Sequence, residues 1–286
     1  MSADVPSTYA DLATHAIPFW LVLVALFAAF PVLALLGYRL GRRERIGVLA
    51  AGDAKGLPGE TSLGALLALL GLLLGFTFSA TLHWHEGRTA AVVEEAAAIG
   101  TAFLRADMLP EGAGRPLQEA LLGYARTRVA PAGFHPSRSE VAAFVTASLE
   151  AQAAIWPALK GAVSHGIPAA LQVHASAGVT EVLDAHTRRM AAASKGIPPL
   201  TMAFLIFVTG AGVFVVGNRS ALQGRPVTWR TLLLSVVLAC VIGMIEDLDR
   251  PNDGFTVVRQ DAFVTTIAEM EGMLMRPNSV PRPSGA

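Results

Sequence analysis

The sequence predicts an all-α integral membrane protein with four transmembrane helices and a helical extramembrane domain between the second and third spans. Hydrophobic residues make up 53% of the 286 residues and charged residues only 15%, whereas about 25% of the residues in a soluble domain are charged. Four apolar runs approach or reach the length that a helix needs to cross the hydrocarbon layer of about 30 Å. The residues between the second and third runs follow helical periodicity and show no convincing strand pattern.

The transmembrane helices are predicted from runs that contain no charged residue. Residues 17–38, 61–82 and 199–218 are each long enough to span a bilayer. The fourth run, residues 231–245, is shorter, and it reaches spanning length only if Trp229 lies at one interface and the acidic residues after the run lie at the other. We therefore expect a multi-pass protein of the inner membrane.

Basic residues predict the orientation, because Lys and Arg favour the cytoplasmic side of a membrane. The N-terminal flank has none, whereas the loops after the first and third spans are basic. Their bases are Arg39, Arg42, Arg43, Arg45 and Lys55 in the first loop and Arg219, Arg225 and Arg230 in the second. This distribution places both termini and the region of about residues 83–198 on the periplasmic side.

The region between the second and third spans is predicted to be a bundle of helical hairpins. Apolar residues at helical spacing from Val92 to Phe103 extend the second span into one helix of about residues 62–108. A capping box of Ser137 and Glu140 starts a later helix, and Pro168 opens the last long one. After the fourth span we expect a short extended piece and then an amphipathic helix near residues 261–275.

The predicted organisation has six segments. They are a first transmembrane helix with a basic loop (1–60), a second transmembrane helix that continues as a long extramembrane helix (61–110), a helical extramembrane domain (111–198), the third and fourth transmembrane helices (199–250), a C-terminal extramembrane segment with an amphipathic helix (251–275) and a disordered tail (276–286).

Small residues at four-residue spacing occur in two of the spans. In a lipid environment such residues let helix backbones approach closely, so we expect them to form packing faces within the chain or between chains. The residues are Gly71, Gly75 and Ser79 in the second span and Ser235, Ala239 and Gly243 in the fourth.

A different face of the second span indicates a pore. Leucines at helical spacing are followed along one face by hydroxyl groups and then by a histidine, which is the order that a hydrophobic constriction with a wet mouth requires. The predicted pore-lining residues are Leu67, Leu70, Leu74, Thr77, Thr81 and His85. The alternative is that these leucines contact lipid while the polar end reaches the interface.

Acidic residues follow the fourth span directly, at Glu246, Asp247, Asp249 and Asp253. Because a charge beside a low-dielectric region needs a partner, interhelix ion pairs are the first interpretation. The candidate residues for these pairs are Arg88, Arg105, Glu95, Asp247 and Asp249. A cation-attracting pore mouth and part of a calcium loop are alternatives. The full calcium loop ends in a further acidic ligand that is missing here, so no metal site is predicted.

Catalytic, cofactor and nucleic-acid motifs are not evident. His83 and His85 point apart on a helix and make a poor metal pair, and Glu94 and Glu95 are interpreted as charged surface of a solvated helix face. The net charge of zero provides no basic field for nucleic acid. We therefore predict no enzyme and no cofactor, and the expected partners are the lipid bilayer, further copies of the chain and small inorganic ions.

Two motifs carry a resemblance to a known family. The first is the glycine-spaced second span that ends in an arginine and continues in a Glu-Ala-x-x-Ile-Gly-x-x-x-Leu-Arg helix, and the second is Asp-x-Asp-x-Pro-x-x-Gly. In this chain they comprise Arg88, Glu95, Ala96, Ile99, Gly100, Leu104 and Arg105, then Asp247, Asp249, Pro251 and Gly254. These motifs and the topology resemble a family of uncharacterised bacterial four-span proteins labelled bestrophin-like.

The resemblance implies a function by analogy. Bestrophins are pentameric ion channels with four spans and a long helix that forms a hydrophobic neck, so the analogy implies that Leu70, Leu74 and Thr77 line a neck. Bestrophins keep their termini and helical domain in the cytosol, whereas the basic residues of this chain place them outside. The dense acidic run of the bestrophin calcium clasp is also not reproduced here.

The leading hypothesis is a homo-oligomeric ion channel whose pore surrounds the second span. Its ion selectivity stays open, since Arg88 favours anions whereas Asp247 and Asp249 favour cations. The alternative is a non-conducting membrane scaffold or sensor whose helical extramembrane domain binds a ligand or partner.

Overall fold

The computed structural model describes residues 17–50, 61–110, 112–129, 138–250 and 254–275. The described residues form eight α-helices and no strand. The predictions made for the N-terminal flank, for the tail and for four single residues lie outside these ranges. Those positions are residues 1–16, residues 276–286, Lys55, Ser137, Pro251 and Asp253.

The eight helices agree with the all-α prediction. They are α1 (Phe19–Ala50), α2 (Thr61–Asp107), α3 (Arg115–Thr127), α4 (Arg138–Ser164), α5 (Ala169–Ala193), α6 (Pro199–Leu222), α7 (Trp229–Asp249) and α8 (Asp261–Met275). Helices α1, α2, α6 and α7 are long and apolar enough to cross a membrane, which confirms the four predicted spans. Helix α2 is unbroken over 47 residues, about 70 Å at 1.5 Å per residue, as its periodicity predicts.

The chain divides into two compact units. The membrane unit comprises the described residues of His15–His85 and Gly196–Val257, and the helical unit comprises those of Glu86–Lys195 and Val258–Ala286. Helix α2 contributes its apolar first half to the membrane unit and its polar second half to the helical unit. Each unit thus combines segments that are far apart in the sequence.

The membrane unit is apolar on its inside and on its outside. Helix α1 packs on α6 and α7, and α6 packs on α7; the core between them includes Phe30, Leu205 and Ile242, all at most 1% exposed. Large apolar side chains such as Phe207 and Leu200 are 71% and 83% exposed. An apolar surface of this extent is a membrane-facing surface.

Helices α1 and α6 cross with their backbones in contact, at glycines outside the two predicted packing faces. A Cβ atom on Gly37 would lie 2.0 Å from the Phe214 carbonyl oxygen, and one on Gly217 would lie 2.0 Å from the Ala34 carbonyl oxygen. Because the hydrophobic effect does not drive helices together within a lipid bilayer, van der Waals contact at this close approach is a principal source of packing energy. The signal in the sequence is the Gly-x-x-x-Gly pair of Gly37 and Gly41.

The helical unit has its own hydrophobic core. Helix α3 packs on α4 and α8, and α4 packs on α5. The apolar stripe predicted for the second half of α2 is confirmed, since Val92, Ala96, Ile99 and Phe103 are at most 3% exposed. Glu95 lies between Val92 and Ala96 and is also buried, so α2 carries a carboxylate into the core.

Candidate functional site

The face of α2 that was predicted to line a pore is largely covered by the chain itself. Leu70 and Leu74 are 2% and 5% exposed and belong to the core of the membrane unit. Thr81 is fully buried, and its hydroxyl donates to the Thr77 carbonyl oxygen at 3.0 Å. A side chain that lines a pore between chains is open in the single chain. The prediction is therefore corrected for Leu70, Leu74 and Thr81, which hold α2 against its own unit.

The other members of that face are partly buried. Leu67, Thr77 and His85 have intermediate exposure, and the Thr77 hydroxyl donates to the Leu73 carbonyl oxygen at 2.8 Å. Packing explains the leucines of this stripe, since lipid and a protein core are equally apolar surroundings for leucine. Hydrogen bonds to carbonyl oxygens of the same helix explain the threonines.

The opposite face of α2 is open. Gly71, Gly75 and Ser79 are exposed, and a Cβ atom on either glycine would meet nothing within 4 Å among the described residues. Beside them, Leu72 and Phe76 are 56% and 67% exposed. Only 11% of the apolar window of α2 is buried, compared with 50% of that of α7. The small-residue face of α2 thus has no packing partner within the described part of the chain.

The small residues of α7 lie inside the membrane unit. Ser235 and Ala239 are fully buried, and a Cβ atom on Gly243 would lie 2.7 Å from Cδ2 of Leu23 in α1. Helices α1 and α7 approach each other at these positions because the α7 side chains are small. The two predicted small-residue faces therefore differ, since the α7 face packs within the chain and the α2 face is open.

The acidic residues at the end of α7 have partners within the membrane unit. Oε1 of Glu246 accepts a hydrogen bond from Nη2 of Arg250 at 2.6 Å, and both residues are buried. Nη1 of Arg250 donates to the Ile17 carbonyl oxygen at 2.8 Å, and its guanidinium lies 5.7 Å from the centroid of the Phe19 ring. The Arg250 guanidinium thus bonds both to the Glu246 carboxylate and to a backbone carbonyl, and such additional hydrogen bonds are the condition for a stable buried ion pair. The pair ties the end of α7 to the start of α1.

Asp247 holds the turn that follows α7. Its two carboxylate oxygens accept hydrogen bonds from the backbone amides of Phe255 and Thr256, at 2.6 and 3.1 Å. Gly254 lies between helix and turn with φ +150°, and a Cβ atom there would lie 2.2 Å from Oδ1 of Asp247. Glycine is therefore required at this position for both its backbone angle and the close approach of the carboxylate.

The bonds described for Asp249 and Arg88 lie in different units. Oδ1 of Asp249 accepts a hydrogen bond from the Ile197 amide at 2.9 Å in the membrane unit. In the helical unit, Nη2 of Arg88 donates to the Lys195 carbonyl oxygen, and Arg88 is 4% exposed. The predicted pairing of Arg88 with Asp247 or Asp249 stays a prediction. Arg105, the other arginine of α2, lies against Gly178 of α5 and is partly buried.

Glu95 is the centre of a buried polar cluster in the helical unit, which we call the Glu95 cluster. Nε and Nη2 of Arg128 donate to the two carboxylate oxygens at 3.0 and 3.2 Å, and Nη1 of Arg189 donates to Oε2 at 2.8 Å. The Tyr124 hydroxyl donates to Oε1, so it accepts from Nδ1 of His186 at 2.8 Å. The cluster therefore joins α2 to α5 and to the end of α3.

The burial of Glu95 corrects its interpretation as charged surface. Glu95 is 0% exposed, whereas the side chain of the adjacent Glu94 is 52% exposed and lies 3.1 Å from Nη2 of Arg188. The two residues have the same type and neighbouring positions, but their directions from the helix axis differ by about 100°. Glu95 is ion-paired with Arg128 and Arg189, two residues that were not among the predicted partners.

The cluster fixes the charge of its members. Burial by itself raises the pKa of Glu95, but the His186 ring 3.6 Å from Oε1 and the positive charges of Arg128 and Arg189 outweigh it and hold the pKa well below the ordinary value of 4.5. Burial raises the pKa of the Tyr124 hydroxyl well above its ordinary value. Glu95 therefore stays a carboxylate and Tyr124 stays a donor over the whole neutral range.

We expect the helical unit to lose stability as the pH falls below about 4.5. A carboxyl group whose pKa is lowered by folding stabilises the fold above its unfolded pKa, and this contribution is lost as the pH falls toward its folded pKa. The measurement is the thermal unfolding temperature of the purified protein in detergent from about pH 7 to about pH 3. Glu95→Gln removes the group and should flatten this pH dependence, and an unchanged slope would contradict the assignment.

The four apolar helices and the long α2 define the class of protein as an α-helical multi-span membrane protein whose second span extends into a polar helical bundle. The chain belongs to the bestrophin-like family, because the sequence model of the Bestrophin-like domain matches residues 59–263. No curated protein matches the chain.

Solved structures show the same fold. A crystal structure of a bacterial bestrophin homolog from Klebsiella pneumoniae is similar to this chain with a TM-score of 0.64 and 12% sequence identity, over 88% of this chain and 98% of that chain. A point variant of the Klebsiella pneumoniae homolog is similar with a TM-score of 0.67 and 11% identity, over 92% of this chain and all of that chain. At these identities the likeness concerns the fold.

Proposed function

We propose that the chain forms a homo-oligomeric ion channel of the inner membrane, in which the open face of α2 lines the pore. The observation that carries the proposal is that α2, which is the least buried of the four spans, exposes Gly71, Gly75 and Ser79 beside Leu72 and Phe76. Small residues allow several copies of a helix to approach one axis. Large apolar side chains on the same face form a constriction that controls hydration.

The position of α2 supports this assignment. Leu70, Leu74 and Thr81 fix its other face in the core of the membrane unit, so the helix has one defined side left for contacts with further copies. A helix that is anchored on one side and open on the other can line a pore without rotating. The bestrophin-like family and the fold agree with this function, since bestrophins use their long second helix as the neck of a channel.

The test is ion flux through the purified protein in liposomes under a KCl gradient. We expect a flux that empty liposomes lack, because the pore is formed by the protein alone. Flux that is absent at every pH and calcium concentration tried would contradict the proposal and would favour the non-conducting scaffold or sensor.

One observation favours that second function. The helical unit has a cavity of about 240 Å³ between α2 and α5, whose charged lining residues are Arg105, Glu94 and Glu181, with Gly178 in its wall. Such a cavity could hold a small zwitterion. A set of amino acids tested for a rise in the unfolding temperature would decide this function, and no rise with any of them would exclude this class of ligand.

We also propose that the basic ends of α1 and α6 face the cytoplasm. Both lie at the same end of the membrane unit, since Nδ2 of Asn218 donates to Oε2 of Glu44 at 3.2 Å and the guanidinium of Arg45 lies beside Gly224. In a Cys240→Ser background, a cysteine at Gly47 should resist a membrane-impermeant maleimide added to spheroplasts, and a cysteine at Lys160 should react. The opposite pattern would reverse the orientation.

A further inference from the structure

We infer that Glu86 makes the proposed pore selective for cations. The inference rests on the proposed function and adds the sign of the ion and the residue that sets it. The sequence alone leaves the sign open because it contains charges of both signs near the ends of the spans. The structure separates these charges into those that are held inside the chain and those that are open to an aqueous path along α2.

The arginine side chains of α2 are buried or partly buried. Helix α2 has two basic residues, Arg88 and Arg105. Arg88 is 4% exposed and donates to the Lys195 carbonyl oxygen, and Arg105 lies against Gly178 with partial burial. An anion that moved along the open face of α2 would therefore meet no exposed guanidinium of this helix.

The acidic residues Glu246 and Asp247 at the end of α7 also have bonding partners inside the membrane unit. Asp247 is 6% exposed and accepts two backbone amides, and Glu246 pairs with Arg250 inside the membrane unit. Arg250 balances the charge of Glu246, whereas the buried Asp247 carboxylate keeps its charge and is held in the turn by its two amide hydrogen bonds. Arg88, Glu246 and Asp247 are therefore all held by bonds inside the chain.

The exposed ionisable groups of α2 are acidic apart from one histidine. They are His83, Glu86, Glu94 and Asp107. Glu94 lies 3.1 Å from Arg188, and Asp107 accepts a hydrogen bond from Gln118 at 3.2 Å. Glu86 is exposed, and the structure describes no ion pair for it among the residues that it covers. It is thus the acidic residue of α2 nearest to the apolar half of the helix.

Glu86 shares a face with the proposed pore-lining residues. It follows Ser79 by two helical turns and Gly75 by three, and these intervals bring side chains back to the same side of an α-helix. In a symmetric oligomer one Glu86 from each copy would form a ring of carboxylates at the end of the span. Rings of acidic side chains concentrate cations and exclude anions in cation channels.

The field of such a ring depends on salt. At about 0.1 M ionic strength charges act over about 10 Å, and at about 1 M over about 3 Å. A unit charge at about 4 Å in bulk water changes an ion's energy by about 1 kcal/mol, which is about five-fold in local concentration. Selectivity that arises at Glu86 should therefore weaken markedly between these two salt concentrations.

The experiment is the zero-current potential of the wild type, Glu86→Gln and Glu86→Lys in planar bilayers under a KCl gradient. We expect the zero-current potential of the wild type to lie toward the equilibrium potential of potassium. Glu86→Gln should lower the K⁺ over Cl⁻ permeability ratio by about five-fold at low salt. Glu86→Lys should make the pore favour chloride. Glutamine has the same shape and the position is exposed, so the fold should be retained.

Glu94→Gln is the matched control, because Glu94 is exposed on the same helix but is already paired with Arg188. It should leave the permeability ratio unchanged. A conducting wild type that favours chloride, or a ratio that is the same in Glu86→Gln, would overturn this inference while leaving the channel in place. A wild type without current would overturn the channel and the inference together.

Discussion

Replacing Glu95 by glutamine is expected to destabilise the helical unit by about 3–5 kcal/mol, which is the range measured when one partner of a buried ion pair is removed. The carboxylate is 0% exposed and accepts hydrogen bonds from Arg128 and Arg189 at 2.8–3.2 Å. Glutamine keeps the size of the side chain but leaves the buried guanidinium of Arg128 and the partly buried one of Arg189 without their carboxylate. The unfolding temperature of the purified protein in detergent measures the effect.

Glu94→Gln is the control for this variant, because it makes the same change one position earlier on the same helix. The Glu94 side chain is 52% exposed, and its pair with Arg188 is a surface pair, whose contribution is at most about 1 kcal/mol. We expect the unfolding temperature of Glu94→Gln to stay close to that of the wild type. Equal effects of the two changes would contradict the buried cluster.

Gly217→Ala is expected to destabilise the membrane unit by about 1–3 kcal/mol or more, the range for overpacking a tightly packed site. Its Cβ atom would lie 2.0 Å from the Ala34 carbonyl oxygen, and backbone cannot move aside as a flexible side chain can. We expect the α1–α6 contact to open, which should appear as a lower unfolding temperature and as aggregated material in size-exclusion chromatography.

Gly47→Ala is the matched control in α1, where a Cβ atom would meet nothing within 4 Å. Because alanine favours a helix over glycine by up to about 1 kcal/mol, this variant should be as stable as the wild type or slightly more stable. A Gly217→Ala protein that gained stability in the same way would show that the close crossing of α1 and α6 is absent in solution.

The spans and the long second helix could be predicted from the sequence because each depends on local properties. Length without charge predicts a transmembrane helix, and the spacing of Val92, Ala96, Ile99 and Phe103 predicts a helix with one buried face. The same spacing places Glu95 on that face, so the signal for its burial was present. It was outweighed by the expectation that glutamate lies at a surface.

The open face of α2 could not be predicted from the sequence. Leucine is equally suited to lipid, to a protein core and to a dry pore, so the stripe of Leu70 and Leu74 does not identify its surroundings. Only the positions of α1, α6 and α7 show that these leucines are covered while Leu72 and Phe76 are open. The partners of Asp247 and Asp249 depend in the same way on the turn and the third span.

The central claim, that the open face of α2 lines a water-filled path, is tested most directly by blocking that path with a charged thiol reagent. The background is Cys240→Ser, because Cys240 is exposed, and the site is Ser79→Cys. Val237→Cys on α7, which is 47% exposed, is the control for lipid-facing positions, where a thiol is not ionised and does not react with a charged reagent. We predict that the reagent abolishes ion flux through Ser79→Cys and leaves Val237→Cys unchanged. Undiminished flux through Ser79→Cys, with Leu74→Cys blocked instead, would contradict the account.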